Sequence, residues 1–153
     1  MPQDHARAIR VASVPAGHVY VRHLAAPSGD DGVRRLPDLA DTTSPKALHG
    51  WYPPAMLAPS WVSTHGATFD VFHVHFGFDG RTPAELTALA DALEAAGVPL
   101  VVTVHDLRNP HHVEPGLHDA QLEVLVRRAA AVITLTPGAA RTITERSGRA
   151  VHV

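Results

Sequence analysis

Two apolar runs in this chain end in imidazole. Val101-Val102-Thr103-Val104 passes directly into His105-Asp106-Leu107-Arg108-Asn109-Pro110-His111-His112, and Phe69-Asp70-Val71-Phe72-His73-Val74-His75 passes into Phe76-Gly77-Phe78-Asp79. An imidazole donates to a hydroxyl, a phosphate oxygen or a carbonyl, and it exchanges a proton near neutrality. In open parallel sheets, ligands bind beyond the carboxyl ends of the strands. His18 after the first apolar run, His75, His105 and Thr136 are therefore expected along one rim. Helix amino termini reaching the same rim would add backbone amides and a positive dipole, which suit an anionic ligand.

The candidates carry different alternatives. His105 is expected to be catalytic or, failing that, a structural bridge for the loop containing Pro110. Asp106 either orients His105 or starts a turn, and Asn109 reads as a turn former. Arg108 either clamps a phosphate or carboxylate or is a solvated side chain. Gly17, in Pro15-Ala16-Gly17-His18, permits a sharp turn or close approach of backbone to a ligand. His73 and His75 share one face of a strand, which is also a metal-ligand arrangement. With His105, Asp106, His111, His112 or His118-Asp119 they would give a metal-dependent hydrolase. No His-Glu-x-x-His, P-loop or Gly-x-Ser-x-Gly pattern occurs.

Positioning these groups requires strands and helices in alternation, and the carboxy-terminal half supplies them. Thr82-Pro83-Ala84-Glu85 is a capping box with proline at the first helical position. Leu86, Leu89, Ala90 and Leu93 then form one apolar stripe, and Gly97 ends the helix. Leu100 to Val104 reads as a strand covered on both faces by helices. Leu122, Leu125, Val126 and Ala129 form a second stripe, Ala131 to Leu135 a further strand, and Thr136-Pro137 opens a helix ending at Gly148. Ala150 to Val153 begins another strand, where the chain stops in mid-architecture.

Val11 to Val14 is the first strand. Residues 27–45 read as an exposed excursion with a short strand near Val33 to Leu36. Trp51-Tyr52-Pro53-Pro54 leads into a helix carrying Met56, Leu57, Trp61 and Val62, with Trp51 and Trp61 either lining an acceptor groove or packing in the core.

At 153 residues the chain is expected to be a single domain, 1–153. A formal charge of -2 without a Lys/Arg-rich run argues against nucleic acid as a partner. The absence of cysteine excludes disulfides and thiolate sites and fits a reducing, cytoplasmic location. Nothing at the amino terminus resembles a secretory signal, and no segment approaches the roughly 20 apolar residues of a transmembrane span.

Phe69 to His75, Val98 to Asp106 and Ala130 to Pro137, in this order and spacing, resemble the amino-terminal domain of GT-B glycosyltransferases of family 4. Arg149 to Val153 resembles the strand that precedes the interdomain connection in that family. Val11 to His18 fits loosely, and residues 27–65 match nothing.

The resemblance implies a three-layer Rossmann-like parallel sheet with helices on both faces. It also implies retaining transfer from a nucleotide sugar to an unidentified acceptor, without an obligatory metal or cofactor. This domain would supply the acceptor side of a cleft, with a carboxy-terminal domain in cis or trans as partner. His105 matches the family histidine that contacts the donor sugar near the reacting centre. Gly17 matches the glycine-bearing loop after the first strand, and His75 the second histidine of the His-x-His strand end.

The chain departs from the family at Pro15-Ala16-Gly17, where many relatives carry paired glycines, and in having no Glu-x7-Glu pattern. The expectation is a truncated or separately encoded half that does not turn over a nucleotide sugar efficiently alone. The alternatives are the metal-dependent hydrolase and a noncatalytic binding module of the same fold.

Overall fold

A computed structural model of the chain describes residues 7–29, 31–37, 54–108 and 115–153. Five parallel strands form one sheet: β1 Ile9–Val14, β2 Val33–Arg35, β3 Val71–Val74, β4 Leu100–Val104 and β5 Ala131–Thr134, in the order β2-β1-β3-β4-β5. The helices are α1 Val19–Arg22, α2 Pro59–His65, α3 Pro83–Ala95, α4 Pro115–Arg128 and α5 Pro137–Ser147. This is the expected α/β, Rossmann-like architecture. The chain leaves β1 leftward to β2 and then moves rightward through β3, β4 and β5, so the order reverses between β1 and β3. That reversal is the topological switch point at which ligands bind.

The two faces of the sheet differ. On one, Ala12, Val14, Phe72, Val74, Val102, Val104 and Val132 are buried against the apolar stripes of α2, α3, α4 and α5. Phe72 and Leu86, Leu89 and Leu93 of α3 are almost wholly enclosed. Each such side chain contributes about 1.5–3 kcal/mol of burial. The other face carries Ser13, His73, Val101 and Ala131 in one register row, with Thr103 further along β4 and His105 just past its end. Here α1 packs, since its Tyr20 meets His75 and His105, while its buried Val21 lies outside the main apolar cluster. Opposite placement of α1 and the later helices is what right-handed crossovers require when the strand order reverses. Val71, His73, Val101, Ala131 and Ile133 remain only half-buried. The cover expected on both faces of β4 is thus unequal.

Local chemistry sets the element boundaries. The Thr82 hydroxyl accepts from the Glu85 amide at 3.2 Å, and Glu85 accepts from the Thr82 amide at 2.7 Å, closing the capping box of α3. Thr136 Oγ1 accepts from the Ala139 amide, and α5 ends at Gly148 in the left-handed conformation. The continuous helix expected over Met56 to Val62 is instead two pieces, a 3-10 turn at Ala55–Leu57 and then α2. Pro59 has no amide to continue the first turn and starts the second at its first position. Ala150 to Val153 contributes a single parallel bridge, in which His152 pairs with Ile133 beside β5. At the amino edge, Asp70 accepts from the Arg10 amide at 2.8 Å and from its guanidinium at 2.9 and 3.1 Å, with Arg7 also bonded to it. These bonds join the approach to β3 to β1 and hold the Asp70 carboxyl well below the usual carboxylate range. No described helix is long and apolar enough to cross a membrane.

Candidate functional site

Three of the rim residues expected from the sequence converge beyond the carboxyl ends of β1, β3 and β4. His105 lies between two aromatic edges, Tyr20 with centroids 4.6 Å away and Phe76 at 5.6 Å, both near perpendicular. His75 is 5.9 Å from His105 and 5.8 Å from Tyr20, and His18 meets Phe76 edge-on at 4.7 Å. His73 lies beneath His75 at 3.9 Å and bonds Thr103 through Nε2 at 2.8 Å. This stacking follows from the strand period of two, which puts His73 and His75 on one face.

The elements explain the placement. β1 ends in a Val14-Pro15 cis peptide, after which His18 caps α1: its Nδ1 accepts from the Tyr20 amide at 3.3 Å. That bond requires an unprotonated Nδ1, so a neutral His18 carries its proton on Nε2. Gly17 sits exposed in the loop before it. Its φ lies outside the positive range, so neither the turn nor the family comparison rests on left-handed backbone there.

Burial sets the electrostatics. His75 is 3% exposed, and desolvation, then the neighbouring His73, His105 and Arg35, lowers its pKa to about 3. Desolvation lowers His73 to about 4, with Arg35 and His105 acting in the same direction. For His105 desolvation also dominates, opposed by the Asp106 charge and reinforced by His18. All three rings are therefore neutral at pH 7, each with one N–H donor and one acceptor nitrogen. Among the described residues, Ser13 Oγ, both nitrogens of His75 and Nε2 of His105 are buried without a hydrogen-bond partner. Buried polar atoms in this state suit a polar ligand or ordered water.

The remaining candidates are dispersed. Asp106 and Arg108 are exposed beyond β4, and Asp106 reaches the site through its field on His105. Thr136 is occupied in capping α5. Trp61 stacks on Phe69 and His65, which is core packing, while Trp51 lies outside the described residues. Of the hydrolase ligands, His111 and His112, like Asn109 and Pro110, lie outside the described residues, and His118 stacks on Phe78. No three His, Asp or Glu side chains among the described residues are grouped to hold a metal ion. A groove of about 220 Å³ opens between α4 and α5, lined by Leu107, Leu122, Val126 and Ile143 with charged residues, and none of the rim histidines lines it.

Sequence reasoning missed Tyr20, Arg35 and the site role of Phe76. The signal for Tyr20 was its position two residues after a histidine cap; Arg35 acts from β2 across the sheet, which only the strand order reveals.

The model of the glycosyl transferase 4-like domain family matches residues 2–153. The chain belongs to this glycosyltransferase family. None of the curated proteins compared with the chain matches it. The five-stranded parallel sheet of this glycosyltransferase domain agrees with a half-domain of the GT-B fold.

Proposed function

We propose that this domain supplies the acceptor-side wall of a cleft in which a sugar passes from a nucleotide sugar to an acceptor. A carboxy-terminal domain, in cis or in trans, would hold most of the nucleotide. The reading is supported chiefly by the convergence of His18, His75 and His105 at the switch point of a sheet belonging to a glycosyltransferase family. Neutral His105, held between Tyr20 and Phe76, is a donor or acceptor of fixed direction, suited to a sugar hydroxyl near the reacting carbon. Gly17 and His18 bring backbone and one imidazole to the same rim, and Asp106 and Arg108 flank it for polar contacts with acceptor or phosphate. The transfer is retaining and needs no obligatory metal.

With the partner domain present, His105→Ala is expected to leave the circular dichroism spectrum unchanged and to lower transfer by about 100-fold, the scale of losing one positioned polar group in an active site. Unchanged turnover in a folded variant would remove His105 from the mechanism. Turnover by the complete enzyme should survive a chelator. Full activity of residues 1–153 alone with any sugar nucleotide would show that no second wall is required.

A further inference from the structure

We propose that Gln121 of α4 is a positioning residue for the rim, setting the loop between β3 and α3 and, through Phe76 of that loop, the placement of His105. The stripe Leu122, Leu125, Val126 and Ala129 seats α4 on the core. Toward its amino end, His118 and Gln121 continue this side of the helix and face the loop. Gln121 has no exposed surface. Its amide nitrogen donates to Phe78 O at 3.4 Å, to Asp79 O at 3.3 Å and to Arg81 O. One amide with two N–H groups thus serves three carbonyls of one loop. One turn earlier, His118 stacks on the Phe78 ring at 5.8 Å and 17°.

The loop held this way turns at Gly77, where φ is +87°, a region open to glycine and strained for other residues. The turn lets two adjacent aromatics serve opposite sides. Phe78 enters the core at 5% exposure, while Phe76 meets His18 at 4.7 Å and His105 at 5.6 Å. Fixing the Phe78, Asp79 and Arg81 carbonyls therefore fixes where Phe76 stands against the two imidazoles. A hydrophobic residue at 121 would seat α4 equally well. The amide is useful because it bonds the loop.

This deepens the glycosyl-transfer reading and rests on it only for the effect on activity. The test uses the isotope-labelled chain. Gln121→Met keeps side-chain length and apolar burial while removing both N–H groups. The His105 and His18 ring signals should move in the NMR spectrum as the Phe76 ring shifts over them, and Phe76→Leu should move the same signals. Leu93→Ala, a core lesion on α3, should lower the melting temperature without moving them; movement there as large as in Gln121→Met would reduce Gln121 to a packing residue. A folded Gln121→Met protein with both ring signals unmoved overturns the proposal. If Gln121→Met does not fold, Gly77→Ala displaces the same loop from within, and unmoved His105 and His18 signals there likewise overturn it. In the complete transferase, Gln121→Met should lower kcat about tenfold with little change in donor KM. If the complete protein transfers no sugar from any nucleotide sugar, the glycosyl-transfer reading fails while the ring signals still decide the role of Gln121.

Discussion

Replacing His75 by phenylalanine separates what this ring costs the fold from what it does at the rim. His75 is 3% exposed, neither nitrogen has a partner among the described residues, and its contacts are ring against ring with His73, Tyr20 and His105. The substitution keeps a ring and deletes two polar atoms. A buried polar group without a partner costs ~1–3 kcal/mol, and the larger ring returns part of that as crowding. At pH 7 the variant should match the parent or exceed it by up to ~2 kcal/mol.

The pH dependence is the sharper measure. An unfolded chain protonates this imidazole at its ordinary 6.5, whereas burial holds it neutral in the fold down to about 3. A depressed folded value means that the associated stability is complete above pH 6.5 and is lost as pH falls toward 3. At pH 4.5 the unfolded ring is almost wholly protonated and the folded ring is not, so the parent has lost ~3 kcal/mol that His75→Phe keeps. His73, depressed to about 4, contributes a loss of the same sign in both proteins, which largely cancels in the difference. Urea titrations followed by far-ultraviolet circular dichroism at pH 7 and 4.5 measure the effect. With a slope of ~2 kcal/mol per molar urea, the acid-induced midpoint shifts of the two proteins should differ by about 1–2 M. Equal shifts would refute a neutral, buried His75. A loss beyond ~1 kcal/mol at pH 7 would show that its nitrogens make bonds on which the fold depends.

Asp70→Asn should destabilise the chain at neutral pH, because Arg10 and Arg7 lose a carboxylate. The deficit should shrink as pH falls below 3.8 and the parent carboxyl begins to protonate in the unfolded state; a deficit independent of pH from 6 to 2 would contradict the depressed carboxyl. Phe72→Ala empties a fully buried site between sheet and helices and should cost ~3–5 kcal/mol in chemical unfolding, with a loss under 1 kcal/mol arguing against that core.

Features determined by neighbouring residues were legible in the sequence. The capping box at Thr82 to Glu85, the cap at Thr136 and the stripes through Leu86 and Leu125 need only local spacing, and the structure forms each of them. Strand-end placement of His18, His75 and His105 followed from apolar runs and the period of two. What required tertiary information stayed hidden. Gln121 reads as an ordinary polar helix residue until the β3–α3 loop is laid beside it, and Tyr20 gains its contacts only when α1 folds over the ends of β3 and β4. The break at Pro59 was written locally, but the apolar residues Met56, Leu57, Trp61 and Val62 on both sides of it imitate one stripe. Asp106 and Arg108 stand beside a strand-end histidine in sequence, and in the fold both are exposed just past β4, with Asp106 acting on His105 through its charge.

The unequal faces of the sheet divide the labour of selection. Substitutions beneath α3 and α4 are screened by whether the domain folds, since the apolar cluster lies there. On the proposed reading, those among Ser13, His73, Thr103 and His105 are screened by what the rim binds, and their strand neighbours anchor the sheet from the reverse side. Two adjacent residues of one strand, such as Phe72 and His73, thus answer to different pressures. On the proposed reading, specificity can drift along one surface while the apolar cluster on the other preserves most of the scaffold.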